Sequence, residues 1–343
     1  MGIGYVLQRM RNMDWAGPWR VAAKVRDRSG KNRLLALSDI LWCGLIYQAG
    51  YWDYDVFQME RTNARQRATF VTRGMNNQLV KKLCDSAYFD VMRDKAQFYE
   101  RFGNYLGRRW TRVESLSDAE FVAWLGDVAE VVAKPLGGMC GKGVERLRVA
   151  DFSSASALLA YLKEQEFWTV EVVLQQHPEL DKLYPGAINT VRIVTVTKGE
   201  RSAIAAVYLR IGHGRPVDNF NSGGMVTPVD VATGQAKFSA VDKAGNVYPV
   251  HPETGTKIPG FQIPNWQACK ALAKEAALRI PQLGLVGWDI ASTPTGPVLV
   301  EGNDFPGHDI YQLPEHTPDG IGMLPKFQVA IAKVSHATSG EHR

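Results

Sequence analysis

Gly287-Trp288-Asp289-Ile290-Ala291-Ser292-Thr293-Pro294-Thr295-Gly296-Pro297-Val298-Leu299-Val300-Glu301-Gly302-Asn303 is the stretch on which the fold turns. Its apolar runs, residues 285–291 and 297–300, flank a Ser-Thr-Pro-Thr-Gly segment, which predicts two strands joined by a turn. Asp289 lies inside the first run and Glu301 ends the second. Two carboxylates in an apolar hairpin are expensive to bury unless a positive charge compensates them. A divalent cation does this, since Mg²⁺ takes carboxylate and phosphate oxygens; a buried arginine is the alternative. Asn303 follows Glu301 by two residues, so in an extended chain its amide faces the same side as a third hard oxygen donor.

Moving toward the N-terminus, residues 190–197 and 202–211 are β-branched, apolar runs joined by Lys198-Gly199-Glu200, a hairpin pattern. Arg192 interrupts the first run and needs a partner, either a carboxylate or a phosphate. Residues 212–224 form a long loop rich in glycine that carries His213, Arg215, Asn219 and Asn221, with Arg210 just before it. Such a loop is a candidate lid or anion clamp; His213 reads as an exposed loop histidine in preference to a general base. Farther back, the strand predicted over 129–135 ends at Lys134-Pro135, and Gly137, Gly138, Gly141 and Gly143 follow with Lys142 among them. Glycines let backbone N–H groups close on an anion, and lysine adds a point charge. A flexible hairpin is the other reading. Gly143 after Lys142 excludes the Walker pattern, which needs Ser or Thr there.

Residues 1–90 read as helical, with Leu34, Leu35, Leu37, Ile40, Leu41 and Leu45 recurring at three- and four-residue steps. Arg61, Arg65, Arg67 and Arg73 read as a solvated face, with a loosely spaced anion patch the alternative, and residues 105–112 as a basic loop. Helices are expected over 94–102, 121–128, 154–165 and 265–280, the last turning Ala271, Leu272, Ala276 and Leu278 inward, with a strand over 167–174. Helices first, then helices mixed with hairpins, argue an α+β fold. A 45% hydrophobic share over 343 residues excludes dominant disorder. A net charge of +5 suits an anionic ligand and is too weak for a nucleic-acid binder. Cys43, Cys84, Cys140 and Cys269 show no CxxC spacing, so free thiols are expected and not a zinc site. The N-terminus lacks a continuous apolar core and the apolar stretch at 40–49 is too short for a bilayer, so a cytoplasmic protein without a membrane span is expected.

Taken in order, these segments resemble the ATP-grasp superfamily, and the chain is most similar to its sugar-transfer-associated group, over roughly residues 45–325. The resemblance rests on the glycine-rich turn after Lys134, Val170-Glu171-Val172-Val173-Leu174, Gly287-Trp288-Asp289 and Glu301-Gly302-Asn303-Asp304-Phe305-Pro306-Gly307. The loop 219–224 resembles that of alpha-L-glutamate ligases; Gly50-Tyr51-Trp52-Asp53-Tyr54, Asp94-Lys95 and Asn189-Thr190-Val191-Arg192 resemble the sugar-transfer-associated group. The resemblance implies two α+β lobes clamping ATP behind a helical region: residues 1–90 helical, 91–175 the smaller lobe, 176–335 the larger lobe, and 336–343 a disordered tail. It implies that Lys95 and Lys134 contact phosphates, that Gly138, Gly141 and Gly143 fold over them, and that Glu171, the Val173 backbone and Gln176 or His177 address adenine and ribose. Arg192, Arg215 and Asn219 would serve catalysis with Lys134; Asp289, Glu301 and Asn303 would hold Mg²⁺, with Mn²⁺ the alternative. The implied activity is an ATP-dependent carboxylate–amine or carboxylate–thiol ligase working through an acyl phosphate. The alternatives are a small-molecule kinase acting on a sugar or other alcohol, and a non-catalytic nucleotide-binding module. Implied partners are small carboxylates and amines, with a link to cell-surface sugar or peptide biosynthesis and a homo-oligomer left open.

Overall fold

The computed structural model describes residues 16–135 and 143–335. Two compact units divide the chain. One takes the described residues up to Leu79 together with Gly307–Pro325; the other takes Val80–Pro306 and the described residues from Lys326 on.

The first unit is helical. Helices α1 (Ala16–Ser29), α2 (Arg33–Ile46), α3 (Tyr51–Val56) and the single turn α4 (Ala64–Arg67) surround a core of Val21, Val25, Ile40, Cys43, Tyr54, Phe57, Met59 and Phe70. Local capping sets their starts: the Asn32 side chain accepts from Leu34 N, and the Asn63 side chain from Gln66 N. Asp53, buried, accepts from the backbone N–H of Gly50 and Arg73 and from His308 Nε2 at 2.8 Å. Gln312 Oε1 accepts from Val71 N at 2.8 Å and Met323 N at 2.9 Å, and its Nε2 donates to Val71 O at 3.0 Å. Segment 307–325 is therefore stitched into this unit through buried polar groups that have few other partners.

Helix α5 (Arg73–Leu83) leads into the second unit, followed by α6 (Asp90–Arg93) and α7 (Lys95–Phe102). Asp94 caps α7 by accepting from Ala96 N at 2.8 Å, which sets Lys95 at its first position. A four-stranded antiparallel sheet has the order β1-β4-β2-β3, with β1 Trp110–Arg112, β2 Glu130–Pro135, β3 Glu145–Arg148 and β4 Phe167–Val172. Helices α8 (Asp118–Leu125) and α9 (Ala155–Glu164) supply Phe121, Leu125, Leu158, Leu159 and Leu162 to its core with Val131, Ala133 and Val170. After α10 (Pro178–Leu183) comes a seven-stranded antiparallel sheet: β5 Thr190–Lys198, β6 Arg201–Ile211, β7 Met225–Pro228, β8 Ala240–Asp242, β9 Val247–Tyr248, β10 Leu285–Thr293 and β11 Gly296–Asn303. Its order is β11-β10-β5-β6-β7-β8-β9. Helix α11 (Trp266–Leu278) buries Trp266, Cys269, Ala273, Ala276 and Ala277 in the core beside Ile193, Trp288 and Ile290; α12 (Leu324–Ser335) closes the described chain.

The α+β class and both central hairpins stand as expected, with β5 and β6 turning at Gly199 in the left-handed region at φ 57°. Residues 105–112, expected as a loop, contain β1, which exists by pairing with β4 at Trp110↔Glu171. The expected solvated face at 61–73 is corrected at Arg67, whose guanidinium forks onto Asp39 with both bonds at 2.7 Å and is only 11% exposed. Helix α11 is rotated from its expected face, since Ala271 and Leu278 point outward. Among the described residues no helix is long and apolar enough to cross a membrane. Cys43, Cys84 and Cys269 are free thiols, and burial pushes the first two up to about 11 and the third to about 12; Cys140 lies outside the described residues.

Candidate active site

Register places the charged residues of the large sheet opposite one another. On β10, Asp289 pairs with Glu301 of β11 on one side and Arg192 of β5 on the other. A bulge between Asp289 and Ile290 leaves Val300 extra in β11, which re-aims Glu301 at the strand end. Asp289 is 1% exposed and is gripped by Arg192, through Nε and through Nη2 at 2.6 Å, and by Arg210 Nη1. Burial alone would raise its carboxyl; the charges of Arg192 and Arg210 hold it at about 2. Of the two sequence alternatives for compensating this acid, arginine is therefore present. Gly287 allows it, since a Cβ there would sit 3.0 Å from Arg192 Cδ.

Glu301 lies 3.7 Å from Arg192 Nη2 and accepts from Asn303 Nδ2 at 3.3 Å. Its carboxyl is raised above the ordinary value by lost hydration and by the Asp289 charge. Because its side chain is 54% exposed, the like charge is the cause with the firmer physical basis. Asp289 is compensated by two guanidiniums, whereas Glu301 is exposed and has Arg192 only at 3.7 Å, so the carboxylate oxygens of Glu301 with the neighbouring Asn303 amide are the hard donors that suit a divalent cation at this strand end. Among the described residues no group of three or more His, Cys, Asp or Glu side chains gathers for a metal, since Asp289, Glu301 and Asn303 count two acids and an amide.

The small sheet carries a second cluster. Lys134 on β2 and Glu171 on β4 are diagonal neighbours on one face, with Lys134 paired to Thr169. Lys134 Nζ lies 2.6 Å from Glu171 Oε1 and 2.9 Å from Tyr99 Oη, and Tyr99 donates to Glu171 at 2.6 Å. Arg108 Nε donates to the same carboxylate at 2.8 Å. Burial would raise Glu171; Arg108 and Lys134 hold it at about 2. Burial would lower Lys134, and the Glu171 charge keeps it raised; burial and the like charge of Lys134 lower Lys95, whose Nζ donates to Pro135 O at 3.2 Å. Arg108 Nη1 also donates to Leu299 O at 2.9 Å, so one side chain ties the acid of the small sheet to the strand bearing Glu301. Gly107 makes the approach possible: at φ +58° its missing Cβ would lie 2.2 Å from Val298 Cγ1. Beside it, Val172, Val173, Leu174, Gln175, Arg109 and Thr293–Thr295 line a cleft of about 330 Å³.

The remaining sequence candidates scatter. Gln176 is buried and spent on the interior, its Nε2 donating to Asp181, Tyr184 O and Ala187 O while Oε1 accepts from Asn189. It does not line the cleft. Asn219 caps a turn by accepting from Asn221 N at 2.8 Å, and Arg215 is exposed. Between them, Asp218 anchors the loop: it accepts from Thr190 N at 2.9 Å and from its hydroxyl, and lies 2.9 Å from Arg210 Nη2. Gly138 and Gly141 lie outside the described residues; Gly143 is left-handed at φ +71°. Sequence reading did not single out Tyr99, Arg108 or Asp218 for the site. Only Arg210 gave a signal, a cation inside an apolar strand.

A family model described as sugar-transfer associated ATP-grasp matches residues 61–321, and the chain belongs to that family. Solved structures with similar folds include the ADP complex of N5-carboxyaminoimidazole ribonucleotide synthetase, at 12% identity and TM-score 0.40 over 68% of this chain and 51% of that one. An L-amino acid ligase from Bacillus licheniformis gives 13% identity and TM-score 0.41 over 74% and 50%. The ATP-grasp ligase PsnB, complexed with a phosphomimetic variant of its minimal precursor, Mg and ADP, gives 11% and 0.41 over 79% and 70%. The chain thus spans about half the length of the first two, at 51% and 50%. A search of the curated proteins finds no match.

Proposed function

We propose that the protein is an ATP-dependent carboxylate–amine or carboxylate–thiol ligase that releases ADP and phosphate. The observation that carries the reading is the cross-strand line Glu301–Asp289–Arg192, which sets two acids and a buried guanidinium side by side at a strand end. In the reaction a substrate carboxylate oxygen attacks the γ-phosphorus of ATP, the bond to the β,γ-bridging oxygen breaks, and ADP leaves. An amine or thiol then attacks the acyl carbon, phosphate leaves with the C–O electron pair, and the nucleophile gives up a proton. Little covalent work falls to the protein; positioning and charge neutralisation do most of it.

Lys134 and Lys95 supply cations for the nucleotide phosphates, and Glu171, Tyr99 and Arg108 fix where Lys134 points. Arg192 steadies the transferring phosphoryl group and Arg210 keeps Asp289 ionised. The Val173 backbone and its cleft suit the adenine. Asp289, Glu301 and Asn303 would hold Mg²⁺, which when bound neutralises charge on the phosphate oxygens. The loop over 212–224, hinged at Asp218, excludes water from the acyl phosphate, with Arg215 and Asn219 facing substrate on closure.

The test is an ADP-release screen over amino acids, amino sugars and hydroxy acids with Mg²⁺ present. ADP and phosphate in equal amounts, dependent on both an acid and a nucleophile, are expected. A stable phosphoester formed from an alcohol would identify a kinase and overturn the ligase reading. Glu301→Gln should cut turnover by at least about a hundredfold while leaving the circular dichroism spectrum unchanged.

A further inference from the structure

Helix α2 is apolar on two sides. One side, with Ala36, Ile40 and Cys43, is buried in the core of its unit. The other carries Leu34, Leu35, Trp42, Leu45 and Ile46, exposed by 62%, 68%, 56%, 54% and 52%. At 3.6 residues per turn these five fall within an arc of about 120°, so they form one stripe. The leucine spacing predicted a helix here, which the structure has, with Leu34, Leu35 and Leu45 turned outward. Trp19 of α1 is also 40% exposed and lies under the Arg33 guanidinium, 3.9 Å from the ring centre. A helix with a second apolar stripe, broken only by Ser38 and exposed among the described residues, marks an interaction surface.

Charge identifies the occupant. Residues 16–46 hold Arg20, Lys24, Arg26, Arg28, Lys31 and Arg33 against only Asp27 and Asp39. Asp39 is neutralised by Arg67, and Asp27 by Arg26. Outside this stretch Asp55 pairs with Lys24 and Arg28, and Glu60 with Arg28, so four acids stand against the six cations and a positive excess remains; Lys24 is still 61% exposed. A second copy docked through the same stripe would bring two cationic hairpins face to face, which repels. An anionic bilayer complements both features: lipid phosphates attract the basic residues, and tryptophan with leucine favours the boundary between headgroups and acyl chains. We propose that the α1–α2 hairpin docks the protein on an anionic membrane surface, with the α2 stripe inserted to headgroup depth and the basic residues facing lipid phosphates. The proposal is independent of the ligase reading, because the residues it uses carry no part of the nucleotide site.

The full chain is sedimented with vesicles of phosphatidylcholine alone and with vesicles containing about 30% phosphatidylglycerol, at low salt and at about 0.5 M NaCl. Pelleting is expected with the anionic vesicles, weakened by salt, and far less with the neutral ones. Trp42→Glu with Leu45→Glu should lower partitioning roughly a hundredfold. The uncharged pair Trp42→Gln with Leu45→Gln should lower it as well, which separates lost insertion from added repulsion. Both are surface changes, and unaltered circular dichroism and nucleotide binding verify folding. Vesicle binding that ignores these substitutions, or that is equal on both lipids, overturns the proposal. So does a stable dimer of the wild type that the substitutions dissolve in the absence of vesicle binding.

Discussion

At the scale of single residues, burying charge governs both the site and its response to acid. Glu171 sits between Arg108 and Lys134 and is held at about 2 against an ordinary 4.5; Asp289 is held at about 2 against 3.8. Both are depressed in the folded chain, so both contribute stability in full above their ordinary values and lose it as pH falls toward 2. Glu301 is raised and works the other way, regaining its proton early as Asp289 repels it. From Glu171 alone, urea unfolding at about pH 6 and about pH 3 should differ by about 2 kcal/mol. In Glu171→Gln that slope should flatten, and an unchanged slope would remove Glu171 from the account. The expense of buried charge is also why Lys134, Arg192, Asp289 and Glu301 were legible in the sequence. A charged residue in an apolar run announces that it has a partner, without naming the partner. Arg108 and Tyr99 sit in segments that look like ordinary loop and helix, and only the folded register brings them to Glu171.

At the scale of elements, what the sequence made legible was what repeats. Strands β5, β6 and β10 are long, and their apolar runs outlast any ambiguity of period. Strands β1, β8 and β9 have three, three and two residues, too few to alternate visibly, and they exist because a neighbour offers hydrogen bonds. The outward side of α2 was not legible for a related reason: spacing reports that a face is apolar and not what it meets. The loop at 212–224 belongs to this scale too. Its attachment is Asp218, shared between Thr190 and Arg210, with Asn189 Oδ1 accepting from Gly212 N at 3.0 Å at its start. Asp218→Asn removes the charge that holds Arg210 and weakens that attachment by roughly 1–3 kcal/mol. Hydrogen exchange in residues 212–224 should accelerate about tenfold or more, with strands β5 and β10 unaffected. Equal protection before and after the change would place the hinge elsewhere.

At the scale of the molecule, each unit has its own core, and the charged clusters belong to one of them. Lys95, Arg108, Lys134, Glu171, Arg192, Asp289, Glu301 and Asn303 all lie within Val80–Pro306. The helical unit is completed by segment 307–325, whose Gln312 and His308 satisfy Val71 and Asp53. That return was not legible, since nothing local in 307–325 distinguishes it from the strand region it follows. It has a thermodynamic consequence. A ligand that binds only the folded state stabilises what it touches by about 2.7 kcal/mol at a hundredfold excess over its dissociation constant. Mg²⁺ with ATP or ADP should therefore slow hydrogen exchange within residues 80–306 and leave the core amides around Ile40, Tyr54 and Phe70 at their unliganded rates. In Glu301→Gln the increment that depends on Mg²⁺ should vanish, while any nucleotide protection seen without metal persists. Protection by nucleotide centred on the helical unit would contradict this placement, because no residue of the two clusters lies there. Vesicle binding would move the opposite set of amides, in α1 and α2, so the two ligands are told apart by where protection appears in one protein.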